Sequence, residues 1–295
     1  MKWQGVFPAV TTPFREDLSV DRDFLPRHLE AMLAAGCTGF VPLGSLGESA
    51  TLSFAEKGEI LEICRRAVGD RAPLVAGVAA LSTVEAVATA RLAREKGCDG
   101  LMVLPPYVYR TDRRETAAHF SAVIGATPLP CMLYNNPIAY GTDVSAEDLA
   151  ALAQRHPNLE AVKESSGDVR RIAAIRALLG DRLALFMGVD DLIVEGVAAG
   201  ATGWIAGLVN ALPAESVRLF ALARSGDGVR ARALYEWFLP LLRLDVVPKF
   251  VQLIKLVQQE TGMGSERVRP PRLTLAGAER DEALTLIRER LAARR

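Results

Sequence analysis

The sequence predicts an α/β fold, a (β/α)8 (TIM) barrel followed by a C-terminal helical extension, and three observations carry that expectation. Eight short apolar runs alternate with helical stretches along the first three quarters of the chain. The runs do not themselves alternate apolar with polar residues, as expected of parallel strands covered on both faces. Three helix-to-strand joints are near copies of one another: Ala35-Gly36-Cys37-Thr38-Gly39-Phe40-Val41-Pro42, Lys96-Gly97-Cys98-Asp99-Gly100-Leu101-Met102-Val103 and Ala199-Gly200-Ala201-Thr202-Gly203-Trp204-Ile205-Ala206. In each, the first glycine suits a left-handed helix end and the second starts a strand. Without a gap where a sheet would reverse, a closed barrel is favoured over an open doubly wound sheet.

In chain order the expected strands are 6–10, 39–42, 73–77, 100–103, 130–134, 159–162, 183–187 and 203–206. Helices are expected over 23–35, 54–68, 83–96, 113–125, 146–154, 169–179, 192–199 and 213–223. The second of these opens on Ser53 with Glu56 three residues on, a capping box. Beyond residue 223 the pattern is helical only, over 229–243, 249–260 and 279–293. Ser225-Gly226-Asp227-Gly228 is the one obvious linker. The expected organisation is therefore a catalytic barrel over 1–224 and a helical extension over 225–295, packed on the barrel or on another subunit.

Composition excludes several functions. At 295 residues, half of them hydrophobic, the chain fits one barrel, which takes ~250 residues. The 35 basic and 35 acidic side chains cancel, leaving no field to attract nucleic acid or an anionic membrane. No segment approaches ~20 uninterrupted apolar residues, and Met1-Lys2-Trp3-Gln4-Gly5 lacks the apolar stretch of a signal peptide, so a cytoplasmic protein is expected. Cys37, Cys64, Cys98 and Cys131 lie far apart, which favours reduced, buried thiols over a zinc site or disulfides. His28, His119 and His156 fall within or at the end of helices, away from the strand ends. A metal-dependent aldolase or a Ser-His-Asp hydrolase therefore lacks its parts. No P-loop or strand-following G-x-G-x-x-G occurs, and neither a metal nor a cofactor is expected.

A barrel carries its chemistry at the carboxyl ends of its strands and in the loops after them. On that rule the second run leads into Gly44-Ser45-Leu46-Gly47-Glu48-Ser49, and the fourth towards Tyr107 and Tyr109. The fifth ends at Tyr134 and continues through Asn136 and Ala139 to Tyr140, and the sixth delivers Lys163. The seventh ends at Gly188, and the eighth passes through Ile205 into Gly207. Lys163, Tyr134 and Ser45 are the candidate catalytic residues, and the other mouth residues, Gly44, Leu46 and Gly47 among them, the candidate substrate-binding positions.

Taken alone, a strand-end lysine beside Glu164 is more often an ion-paired surface residue than a nucleophile. At the end of a buried strand, however, desolvation disfavours the ammonium form and makes a neutral amine available to attack a carbonyl. A Schiff-base enzyme also needs a proton carrier near that amine, and a phenol such as Tyr134 can accept and return protons. The 44–47 turn reads either as a tight loop or as a cradle whose N–H groups approach a ligand carboxylate, with the Ser45 hydroxyl a further donor or a relay to Tyr134. Asp190-Asp191, just before Leu192-Ile193-Val194, reads as a helix N-cap more simply than as a metal site, since no histidine joins it.

With those residues in place, the chain resembles the dihydrodipicolinate synthase and N-acetylneuraminate lyase family of class I, Schiff-base barrel enzymes over almost its whole length. The resemblance rests on Gly5-Val6-Phe7-Pro8-Ala9-Val10-Thr11-Thr12-Pro13-Phe14, the 44–49 turn, Tyr134-Asn135-Asn136-Pro137, Val162-Lys163-Glu164 and Gly188-Val189-Asp190-Asp191, in that order. It implies Lys163 as the Schiff-base former and Tyr134 as the proton shuttle, coupled to Ser45. It also implies that the Ser45 and Leu46 amides hold the carboxylate of a 2-oxo acid, and that the assembly is a homotetramer, a dimer of dimers.

Departures from the family's lysine-pathway synthases narrow the substrate. Those synthases carry two consecutive threonines where this chain has Ser45-Leu46, and an arginine for a second carboxylate where it has Ala139. Their cross-subunit tyrosine would align near Val108, leaving Tyr109 as its substitute. The 134–140 and 163–172 segments look most like the branch of 1-pyrroline-4-hydroxy-2-carboxylate deaminases and related sugar-acid dehydratases. Enzymes of that branch act on a five-carbon 2-oxo acid or its cyclic imine and give 2,5-dioxopentanoate. Synthase-type condensation, 2-oxo acid aldol cleavage and a catalytically silent acid-binding barrel are the alternatives.

Overall fold

The computed structural model describes residues 1–106 and 109–294. Its strands are β1 Gly5–Pro8, β2 Val75–Val78, β3 Gly100–Val103, β4 Cys131–Asn135, β5 Leu159–Glu164, β6 Ala184–Met187 and β7 Gly203–Ala206. They form one parallel sheet in the order β1-β7-β6-β5-β4-β3-β2. The expected strand over 39–42 is present only as two parallel bridges, Ala9 to Val41 and Phe40 to Leu74. It nonetheless closes the barrel: Val41 N donates to Pro8 O (2.9 Å) on one side, and Val75 N donates to Phe40 O (2.8 Å) on the other. Pro42 has no N–H to extend the ladder, and Leu43 turns to a φ of 64°, which ends the extended run early.

The helices are α1 Phe24–Ala34, α2 Phe54–Val68, α3 Thr83–Glu95, α4 Arg113–Gly125, α5 Pro137–Tyr140, α6 Ala146–Arg155, α7 Arg170–Leu179, α8 Ile193–Ala198 and α9 Pro213–Ser225, and all but α5 lie within one or two residues of the expected ends. The capping box is formed, with Ser53 Oγ accepting from Glu56 N (3.2 Å) and Glu56 Oε2 from Ser53 N (2.8 Å). α5 is an unanticipated single turn, nucleated by Pro137 at its first position and by Asn136, whose Oδ1 accepts from Ala139 N at 3.0 Å. α10 Gly228–Leu242, α11 Phe250–Glu260 and α12 Gly277–Ala292 complete the chain. Their Phe238, Leu241, Ile254 and Ile287 belong to the same buried cluster as the barrel residues.

The two glycines of each joint do different work. Gly36, Gly97 and Gly200 have φ of 99°, 74° and 111°, the left-handed helix ends the pattern predicts. Gly39 and Gly203 instead make room: a Cβ on either would run into the ring of Phe7 or Phe186, fully buried aromatics packed edge to face at 5.1 Å in the barrel interior. All four cysteines are free and buried, and burial pushes Cys37, Cys98 and Cys131 up to about 12. Among the described residues no helix is long and apolar enough to cross a membrane.

Candidate active site

β4 and β5 pair in register so that Tyr134 sits beside Lys163, and both side chains point into the barrel mouth. Each is only 6% exposed. The Lys163 amine lies 4.1 Å from the centroid of the Tyr134 ring. Glu164, the next residue of the strand, points the other way, and its carboxylate accepts from Asn135 Nδ2 (3.0 Å) and Ser166 N (2.6 Å). The ion-paired reading of Lys163 therefore has no partner in Glu164. Gly188, at the end of β6, makes room for the lysine stem, because a Cβ there would overlap Lys163 Cε and Ser165 Oγ.

The Tyr134 hydroxyl accepts from Asn136 Nδ2 at 2.9 Å. Ser45, expected to relay to Tyr134, is hydrogen-bonded to Tyr140 instead. The α5 turn causes this, bringing Tyr140 over the mouth with its ring edge-on to Tyr134 at 5.8 Å and 82°. Tyr140 thus stands between the two residues the sequence pairs directly.

The Ser45 loop is held in a costly conformation. Leu43 and Glu48 bracket it at φ of 64° and 54°, a region non-glycine residues rarely adopt. Its anchor lies in the C-terminal helices. Lys255 Nζ, 1% exposed as a residue, donates to Glu48 Oε1 (2.5 Å), Thr12 O (2.8 Å) and Arg267 O (2.7 Å), and Arg269 N donates to Glu48 Oε2 (2.9 Å). Burial lowers Lys255 to about 8 against the opposing pull of Glu48. Gly47 does not line the cavity: its carbonyl accepts from Thr12 Oγ1 (2.6 Å), and a Cβ there would crowd the Val10 carbonyl.

Asp190 is not a helix cap. α8 starts later, with Leu192 at its cap and no side-chain bond there. Its buried carboxylate instead accepts from Trp204 Nε1 (3.0 Å), Gly207 N (3.1 Å) and Leu208 N (2.9 Å), tying β6 to the end of β7. Burial raises this group to about 6 against those donors. His28 is likewise structural, set against Asn210 Oδ1 at 3.2 Å and lowered by burial to about 4.

The barrel mouth holds a cavity of about 520 Å³. Lys163, Tyr134, Ser45, Gly44, Leu46, Asn136, Ala139, Tyr140, Gly188, Ile205 and Gly207 all line it. Tyr109 does not: it is 57% exposed and its hydroxyl donates to Glu115 at 3.1 Å. Tyr107 and Val108 lie outside the described residues. A second groove of about 690 Å³ runs over the outer face between α4 and α6 and holds none of the strand-end residues. Sequence reasoning missed Ser165, directly after the Lys163 motif, and Asp245 to Pro248 and Arg272, which reach the mouth from the tail. The strand-end rule says nothing of residues outside the barrel, so no signal placed these last ones.

A closed parallel barrel that buries a lysine against a tyrosine at the carboxyl ends of its strands defines a class I lyase barrel. The chain belongs to the dihydrodipicolinate synthetase family, which it matches over residues 2–290. It is 34% identical over 272 residues to the 4-hydroxy-tetrahydrodipicolinate synthase of Methanospirillum hungatei, covering 91% of this chain and 93% of that one. Its fold is similar to that of dihydrodipicolinate synthase from Aquifex aeolicus (TM-score 0.92, 28% identity, 97% and 98% of the two chains covered). It is similar also to the chloride-inhibited dihydrodipicolinate synthase from Acinetobacter baumannii complexed with pyruvate (TM-score 0.92, 28% identity, 97% and 98% covered).

Proposed function

We propose that this chain is a Schiff-base lyase for a five-carbon 2-oxo acid or its cyclic imine, a 1-pyrroline-4-hydroxy-2-carboxylate deaminase or a 2-keto-3-deoxypentonate dehydratase that forms 2,5-dioxopentanoate. The observation that carries the reading is the buried Lys163 amine, 4.1 Å from the Tyr134 ring centroid, in a cavity that also exposes Ala139. Pyruvate bound to the A. baumannii relative supports a 2-oxo acid as the ligand class. Alanine at 139 offers no charge-assisted hold on a second carboxylate, which suits a substrate whose far end is a hydroxyl or an amine.

In this mechanism the Lys163 amine adds to C2. It expels water from a ketone, or takes over the imine carbon and frees the ring nitrogen as an amine on C5. The protonated Schiff base acidifies C3, Tyr134 removes the proton, and the electron pair forms an enamine. Loss of the C4 hydroxyl as water leaves a C3–C4 double bond. Tautomerisation and hydrolysis then release Lys163 and give the C5 aldehyde, with ammonia from the cyclic substrate. We propose further that the enzyme works in the cytoplasm as a homotetramer in which Tyr109 faces a neighbouring subunit, an arrangement light scattering would check.

A second reading is condensation of pyruvate with aspartate semialdehyde, favoured by the name of the M. hungatei relative. One coupled assay separates the two. Formation of 2,5-dioxopentanoate from the hydroxypyrroline acid or a 3-deoxypentonate supports the lyase. Turnover confined to pyruvate plus aspartate semialdehyde would replace it with the synthase.

A further inference from the structure

Among the described residues, Asp245 is the one carboxyl that the C-terminal extension contributes to the cavity. It ends a short 3-10 turn, Arg243–Asp245, between α10 and α11. Its Oδ1 is sealed from bulk water and, among the described residues, has no hydrogen-bond partner. A buried polar atom left unpaired is costly, and such atoms in native folds call for an explanation. Capping does not supply one, since α11 begins at Phe250 behind Lys249. The carboxyl lies directly on Gly207, where a Cβ would overlap it, so glycine at the end of β7 admits it to the mouth.

Two buried carboxyls thus flank Gly207, and their surroundings differ. Asp190 accepts from Trp204 Nε1, Gly207 N and Leu208 N, whereas Asp245 Oδ1 accepts from none of the described residues. When two acids share a site, the one with donors carries the charge and the other keeps its proton. The charged groups facing Asp245 are Asp190, Asp191 and Lys163. Burial and the Asp190 charge push Asp245 well above the usual carboxylate range, and Lys163 opposes them.

We propose that Asp245, as a neutral carboxylic acid, protonates the departing C4 hydroxyl in the elimination step. The enamine pair moves to form C3=C4, the C4–O bond breaks, and the oxygen takes the Asp245 proton and leaves as water. The carboxylate left behind recovers a proton from solvent entering the cavity. This rests on the lyase reading and supplies the acid that turns an enamine common to the family's reactions towards dehydration. Lys163 and Tyr134 act at C2 and C3, and Asp245 acts at C4.

The test compares wild type, Asp245→Asn and Asp245→Ala in three assays: dehydration of 2-keto-3-deoxypentonate and of the hydroxypyrroline acid, borohydride trapping of pyruvate on Lys163, and exchange of the pyruvate methyl protons in D2O. Asparagine matches the neutral acid in size and charge but has no acidic proton to give. The expected result is dehydration lowered by ~10²–10⁴-fold in both variants, with trapping and exchange within about threefold of wild type. Dehydration within about threefold of wild type in both variants overturns the proposal. So does a parallel fall in trapping and exchange, which marks Asp245 as structural. Wild type that traps pyruvate yet dehydrates neither five-carbon acid overturns the lyase reading, and this inference with it.

Discussion

Two buried lysines, Lys163 lining the barrel mouth and Lys255 behind the loop that carries Ser45, have opposite surroundings. Lys255 sits over the Phe14 ring at 4.4 Å with three oxygen acceptors around its amine, one of them the Glu48 carboxylate. Lys163 sits over the Tyr134 ring at 4.1 Å, and among the described residues its amine forms no hydrogen bond. Burial is thus common to both, and acceptors separate them. A buried ammonium that is fully solvated by protein oxygens is a structural tie. An amine facing an open cavity without such acceptors is free to attack a carbonyl carbon.

The largest effect expected from this contrast is at Lys163. Lys163→Ala should lower turnover by at least ~10⁴-fold in steady-state kinetics, with little change in thermal unfolding, because no fixed partner loses a bond. Lys255→Met should do the reverse. It leaves the Glu48 carboxylate buried without its main partner and should cost ~3–5 kcal/mol in denaturant unfolding, part of which Glu48→Gln should restore in the double variant. The Lys163 adduct should still form in whatever fraction folds. Equal effects of the two lysine substitutions on stability would erase the distinction.

Tyr134→Phe keeps the ring that covers Lys163 and removes only the hydroxyl. It should reduce turnover by ~10²–10³-fold while pyruvate trapping survives. The smallest effect concerns the outer layer of the Lys255 tie, where Arg269 holds Glu56 at 2.8 Å and lowers it from 4.5 to about 2. A carboxylate depressed in the folded state adds stability above its unfolded value and loses it as pH falls through the folded one. Glu56→Gln should therefore cost ~1 kcal/mol at pH 7, a difference that closes between about pH 4.5 and about pH 2 in an unfolding series.

Local chemistry made much of the fold legible. The Ser53–Glu56 box and the left-handed glycines at 36, 97 and 200 are set by a few neighbouring residues, and they appear where the pattern puts them. The Lys163–Tyr134 pairing was legible too, since two strand ends in a closed barrel must be neighbours. What the sequence hid depends on contacts distant along the chain. Asp190 looks like a cap until Trp204 and the start of the 207–208 backbone claim it. Ser45 finds Tyr140 because a one-turn helix after Asn136 swings that ring inward. Asp245 and Lys255 arrive from the tail, where helical periodicity marks the buried face but not which part of the barrel it covers.

Borohydride trapping in the presence of pyruvate, followed by peptide mapping, puts the two lysines in direct competition. The expected product is a single reduced adduct on Lys163 with Lys255 unmodified. An adduct on Lys255, or no adduct at all on folded protein, would contradict the assignment of the acceptor-free amine as the nucleophile.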